Sequence, residues 1–256
     1  MIRGIILDLD GTVYLGKKEV PGVVKFIGEM TAAGIRCLYV TNRTNRAPSE
    51  ISEQLRGFGI ACRDEDVLTS AQATVECLKK GTVFFTGEEP FRAELERAGF
   101  VITDKAPDYV IISFERNISR PKILKAAELI KKGARFVATN PDKGLKIENG
   151  ILPGTGAIVE AVQAEVDVEP LMIGKPEKII FEMSLRRLGM NKDEVIAVGD
   201  NIDTDVPAGA KAGMRTALVL TGISTKQDVD KAAIKPTWLV INFEDLADII
   251  KAENNL

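Results

Sequence analysis

Short apolar runs alternate with amphipathic stretches along the whole chain. The first run, Arg3–Leu7, precedes a helical pattern over Pro21–Ala33 that Gly34 stops. A strand over Ile35–Val40 ends at Thr41-Asn42, and helices are expected over Pro48–Phe58, with Gly59 after it, and over Ala71–Lys79. A second module opens near Gly81, with strands Thr82–Phe85, Tyr109–Ser113 and Arg135–Ala138 interleaved with helices Pro90–Ala98, Pro121–Lys132 and Gly156–Ala164. Near Pro170 the first module is expected to resume. Strands Leu171–Ile173, Val195–Val198, Thr216–Val219 and Trp238–Ile241 then alternate with helices Lys178–Leu188, Thr204–Ala212 and Glu244–Lys251. Strands regularly separated by helices predict an α/β fold with a parallel sheet. The expected organisation is a core from residues 1–79, an inserted module over 80–170 and the rest of the core over 171–256.

Composition narrows the classes. The chain has 256 residues, 45% of them hydrophobic and 28% charged, an ordinary globular balance. Net charge is −3 with no long basic run, so nucleic acid is not an expected partner. No apolar stretch reaches membrane-spanning length. The chain runs into its first strand at Ile2 without a signal-peptide pattern, and Cys37, Cys62 and Cys77 lack metal-ligand spacing. Reduced core thiols in a cytoplasmic protein are expected. There is no histidine at all. That excludes His-assisted serine or cysteine hydrolysis, phosphohistidine chemistry and His-ligated zinc. Acids, bases, nucleophiles and ligands must come from carboxylates, Lys, Ser, Thr or Tyr.

The chemistry-bearing residues sit at predicted strand ends. Asp8-Leu9-Asp10-Gly11-Thr12 follows the apolar run Ile5-Ile6-Leu7. Alternation along a strand sends Asp8 and Asp10 to the same side, and Gly11 then breaks the strand. Two neighbouring carboxylates repel unless a cation or proton lies between them, which asks for a hard metal such as Mg²⁺. Thr41 and Asn42 offer a hydroxyl and an amide to an anion. Lys175, in Gly174-Lys175-Pro176-Glu177, precedes a helix whose N-terminus itself favours negative charge. Asp200, Asn201 and Asp205 lie in Gly199-Asp200-Asn201-Ile202-Asp203-Thr204-Asp205, with Asp203 read as a helix N-cap. Metal-binding acids, phosphate donors and a nucleophile are the parts of a phosphoryl-transfer site.

These four segments, in this order, resemble the four motifs of the haloacid dehalogenase (HAD) superfamily. The long insert, together with Ala138-Thr139-Asn140-Pro141-Asp142, Leu152-Pro153-Gly154-Thr155-Gly156 and Arg215-Thr216-Ala217-Leu218-Val219-Leu220-Thr221-Gly222, is similar to its 4-nitrophenylphosphatase or NagD-like branch. The resemblance implies a Rossmann-like doubly wound parallel sheet with an inserted α/β cap domain. It implies a Mg²⁺-dependent phosphatase acting on a small phosphomonoester, and it allows a homodimer. Asp8 then matches the nucleophile that forms an aspartyl-phosphate, and Asp10 the general acid and base. Asp8, the Asp10 backbone carbonyl and Asp200 match the metal ligands. Thr41, Asn42 and Lys175 match the phosphate-binding groups, Asn201 adds a substrate contact, and Asp205 supports the metal site or Lys175. Arg43 departs from the small polar residue common after Thr-Asn; with Arg46 nearby, it is either solvent-facing or an added anion contact. Ser113, Phe114, Glu115 and Arg116 follow a cap strand and are candidates to face the substrate. A phosphomutase or other phosphotransferase, and a non-catalytic protein that binds a phosphorylated metabolite, remain alternatives. The acid Asp10 argues against a dehalogenase.

Overall fold

The computed structural model describes residues 1–147 and 150–255. The chain divides into two compact units. The first comprises Met1–Thr41, Pro48–Leu68 and Lys175–Leu256, and the second Asn42–Ala47 and Thr69–Gly174.

The first unit is built on a six-stranded sheet in the order Trp238–Val240, Arg215–Val219, Val195–Gly199, Gly4–Asp8, Arg36–Thr41 and Val67–Thr69. The pairings from Trp238–Val240 through Arg36–Thr41 are all parallel. Every residue of the two central strands, Gly4–Asp8 and Val195–Gly199, is buried. This is why they read as unbroken apolar runs rather than as alternation: helices cover both faces of such a sheet. The helix Val23–Ala32 shows the complementary pattern, burying Val23, Phe26, Ile27 and Met30 at helical spacing. Phe26 meets Phe243 of the C-terminal helix Phe243–Asn254 with ring centroids 5.1 Å apart. Each fully buried apolar side chain of this kind contributes about 1.5–3 kcal/mol.

The second unit carries a five-stranded sheet, wholly parallel, in the order Leu171–Met172, Arg135–Ala138, Tyr109–Ile112, Thr82–Phe85 and Val101–Ile102. Helices Arg120–Lys131 and Thr155–Gln163 bury Ala126, Leu129, Ile158 and Val162 against Val110, Ile112 and Phe136.

Most predicted elements form within a residue or two of their expected bounds, and the exceptions are informative. Leu171–Met172 belongs to the second unit, not to the resumed core: Leu171 pairs with Val137 and Met172 with Ala138. A short apolar run between Pro170 and Gly174 fits an edge position in either sheet, and only pairing decides. The helix Ser70–Cys77 and the segment Asn42–Ala47 also group with the second unit, so its extent differs from 80–170. Two antiparallel hairpins, Tyr14–Leu15 with Lys18–Glu19 and Gly144–Ile147 with Gly150–Pro153, interrupt the parallel plan. The short strands Val67–Thr69 and Val101–Ile102 and the helix Lys226–Lys231 are too brief to leave a periodic signal. Of the thiols, Cys62 is buried and Cys37 partly so, but Cys77 is exposed, contrary to the expectation of three core cysteines. Among the described residues, no helix is long and apolar enough to cross a membrane.

Candidate active site

Parallel strands bring their carboxyl ends to one edge of the sheet, where open α/β folds carry their sites. In the first unit that edge gathers Asp8, the last residue of its strand, Thr41, the last of the neighbouring strand, and Asp200, which follows Gly199. Asp8 pairs in register with Val40, so Thr41 lies one step beyond it. Gly11 ends the first strand at a φ of 100°, and a side chain there would collide with the Asp200 carboxylate. The strand break predicted at this glycine is therefore also a close approach.

Lys175 enters the same cluster. Its Nζ donates to Asp8 Oδ1 and, at 2.7 Å, to Asp205 Oδ1. Asp8, Lys175, Asp200 and Asp205 are all buried. The Thr12 hydroxyl lies 3.3 Å from Asp8 Oδ2 and 3.2 Å from Asp200 Oδ1, a donor shared between two acids. The Ile223 backbone N–H donates to Asp200 Oδ2 at 2.6 Å, and the Asn201 N–H to Asp205 Oδ2 at 3.0 Å.

Burial pushes the Asp8 carboxyl well above its usual range; Lys175 opposes the shift, while Asp205 and Asp200 add to it. Burial, then Asp205, raises Asp200 to about 6, against the pull of the Ile223 amide, Lys175 and Thr12. Burial alone would lower Lys175, but Asp205 and Asp8 outweigh it and hold the ammonium firmly charged. Three carboxylates face one ammonium, leaving two formal negative charges unmatched in a buried setting. Asp8, Asp200 and Asp205 each offer an oxygen within 4.8 Å of the others. All-oxygen donors with an excess of two charges fit a hard divalent cation.

Known proteins of similar sequence and structure identify the family. Residues 5–101 match the family described as haloacid dehalogenase-like hydrolase, and residues 172–248 the family described as HAD-hydrolase-like. The acid sugar phosphatase of Staphylococcus aureus (strain USA300) is 39% identical over 253 residues, spanning 97% of this chain and 96% of the relative. The chain belongs to the haloacid dehalogenase superfamily. Among solved structures, NagD from E. coli K-12 superposes with a TM-score of 0.89 at 31% identity, covering 95% of this chain and 97% of that one. The 4-nitrophenylphosphatase of Thermotoga maritima superposes at 0.91 and 31%, covering 96% and 97%. These neighbours place the chain in the NagD-like branch. It is a HAD phosphatase, a phosphoric monoester hydrolase.

Within this HAD fold, the expected residues are only partly brought together. Asp8, Asp200, Asp205 and Lys175 form one cluster, and Asp205 bonds Lys175 directly. The half-buried Asp10 bridges to Tyr14, and its carboxylate is not part of the acidic triad. Asn42 and Arg43 group with the second unit, where the Asn42 side-chain amide donates to the Asp142 carboxylate at 3.1 and 3.2 Å. The Asn201 side-chain oxygen accepts the Asp203 N–H at 2.9 Å, closing a local turn. Asp203 is not the N-cap expected of it: Thr204 takes that position ahead of the helix Asp205–Lys211. Of the cap residues, Ser113 is buried and donates to Thr44 Oγ1 at 2.6 Å. Glu115 accepts from the Gly87 amide and Lys122. Phe114 lines a small cavity of the second unit with Arg43, Asn45, Asp142, Leu145 and Thr155.

Sequence reasoning assigned no role to Thr12, Thr221 or Ile223. Thr221 Oγ1 donates to the Gly11 carbonyl at 2.8 Å, tying the loop after Arg215–Val219 to the turn after Asp8. The available signal for Thr12 and Thr221 was their place within the segments that carry the family resemblance; Ile223 lies one residue past the last of them.

Proposed function

We propose that this phosphatase is Mg²⁺-dependent and hydrolyses small phosphomonoesters, sugar phosphates foremost, through a covalent phosphate on Asp8. The observation that carries this reading is the buried Asp8 carboxylate, gripped by Lys175 and crowded by Asp200 and Asp205. In the first step an Asp8 oxygen attacks phosphorus and the ester P–O bond breaks. The departing oxygen takes a proton from Asp10. In the second step water attacks the phosphorus, Asp10 takes its proton, and the bond to Asp8 breaks to give inorganic phosphate and the free carboxylate. Two displacements replace one difficult step.

Lys175, fixed by Asp8 and Asp205, holds a permanent positive charge beside the nucleophile and offsets the repulsion between carboxylate and phosphate dianion. Thr12 and the Ile223 amide hold the neighbouring acids in place. Asp8, Asp200 and the Asp10 carbonyl would hold the metal, whose chemistry is to neutralise charge developing on the phosphoryl oxygens. With one oxygen on Lys175 and the other on the Asn201 amide, Asp205 acts as a positioning residue. Thr41, Asn42 and Asn201 contribute to holding the phosphate, and Arg43 to a second anionic group of the substrate. The names of the Staphylococcus aureus and Thermotoga maritima relatives support the substrate class.

Phosphate release from a panel of sugar phosphates, nucleoside monophosphates, glycerol phosphate and 4-nitrophenyl phosphate, with and without Mg²⁺, tests the reading. The highest kcat/KM is expected for a sugar phosphate, with Mg²⁺ required, and Arg43→Ala should raise KM most for substrates bearing a second negative charge. Equal turnover without any divalent ion, or preference for a different class, would overturn the respective part.

A further inference from the structure

Three segments far apart in sequence converge on Asn42. The Asn42 carbonyl accepts two side-chain donors, Ser70 Oγ at 2.6 Å and Asn140 Nδ2 at 2.8 Å. Asn140 uses its remaining capacity locally: Nδ2 also reaches Thr139 Oγ1 at 3.3 Å, and Oδ1 accepts the Asp142 N–H at 3.1 Å. That turn aims the Asp142 carboxylate at the Asn42 side-chain amide, at 3.1 and 3.2 Å. Gly174 closes the arrangement, since a β-carbon there would meet Asn42 Oδ1, the Thr139 carbonyl and Asn140 Cβ. The turn is braced from behind, where the Gly156 N–H donates to the Asp142 carbonyl at 2.8 Å. Asn42, Ser70, Thr139 and Asn140 are all buried.

Such a network is costly to assemble unless every member is satisfied, and here the satisfaction is centred on one residue. Asn42 follows Thr41, where the chain leaves the first unit, and Gly174 precedes Lys175, where it returns. The first and last of the chain's four crossings between the units thus abut residues assigned to the phosphate. We propose that Asn140 and Asp142 are positioning residues for the reaction, acting solely through Asn42, whose backbone and side chain they fix for phosphate binding. This rests on the assignment of Asn42 to the phosphate made above.

A double-mutant cycle tests it, read as KM for 4-nitrophenyl phosphate and as the inhibition constant of inorganic phosphate. Asp142→Ala should raise both by about tenfold, the scale of one lost hydrogen bond to a charged group. Its kcat should change much less. Asp142→Asn keeps an acceptor oxygen and should restore both constants to within about threefold of the parent. In an Asn42→Ala background, adding Asp142→Ala should change neither by more than about twofold, because its only route of action is gone. Full additivity of the two substitutions, or an unchanged phosphate constant in Asp142→Ala while Asn42→Ala raises it, would overturn the positioning role. Unchanged constants in Asn42→Ala alone would instead overturn the assignment of Asn42. Should Asp142→Ala fail to fold, Asn140→Asp serves in its place: it sets an acceptor against the Asn42 carbonyl and should raise both constants, and no change would count against the proposal.

Discussion

The protein contains two buried polar clusters of opposite design. Around Asp8 in the first unit, three carboxylates meet one ammonium and the charges do not cancel. Around Asn42 in the second unit, amides, hydroxyls, carbonyls and the Asp142 carboxylate meet in matched donor–acceptor pairs. The first is electrostatically incomplete on its own, and Asp8 and Asp200 are driven toward protonation by burial and by the neighbouring acids. A site with that deficit is built to receive positive charge and then a phosphate. The second is complete as it stands, which suits a scaffold that fixes shape.

Three perturbations separate the designs, in descending order of effect. Lys175→Met removes the one cation of the first cluster and leaves its acids unpaired. At neutral pH without divalent ions it should lower unfolding free energy by about 3–5 kcal/mol, measured by urea denaturation. Little change would mean that the acids are already neutral and that the charge imbalance is illusory. Next, adding Mg²⁺ to the metal-free protein at about a hundredfold above its dissociation constant should stabilise it by about 2.7 kcal/mol. Thermal melting should register that rise, and Asp200→Asn should abolish most of it. A melting temperature indifferent to Mg²⁺ would count against a cation site at Asp8 and Asp200. Smallest is Ser70→Ala, which removes a side-chain donor to the Asn42 carbonyl in the second cluster. It should cost about 1 kcal/mol by urea denaturation, irrespective of Mg²⁺.

The two clusters were not equally legible in the sequence. Asp8, Lys175, Asp200 and Asp205 stand at the ends of apolar strands or the starts of helices, and charged residues in such places announce themselves. The parallel sheet that unites them follows from the alternation of elements, and so does the burial of Ile5, Ile6 and Leu7. The second cluster depends on which loops meet, and periodicity does not carry that information. Asn140-Pro141-Asp142 reads as turn chemistry from sequence, yet its side chains reach back to Asn42 across about a hundred residues. Leu171–Met172 illustrates the same limit, since its pairing with Val137 and Ala138, rather than its apolar character, assigns it to the second unit. Thr12 and Ile223 were hidden for another reason: a hydroxyl shared between two acids and a backbone amide are contacts of geometry, with no distinguishing residue type.

The most direct test of the central claim is to capture the covalent phosphate. The enzyme would be acid-quenched during turnover of a good substrate with Mg²⁺, digested, and its peptides analysed by mass spectrometry. The account predicts an acid-stable phosphate on the peptide containing Asp8, absent in Asp8→Asn, whose kcat should fall by about 10⁴-fold or more while the fold is retained. Phosphate attached to another residue, or undiminished turnover by Asp8→Asn, would contradict it.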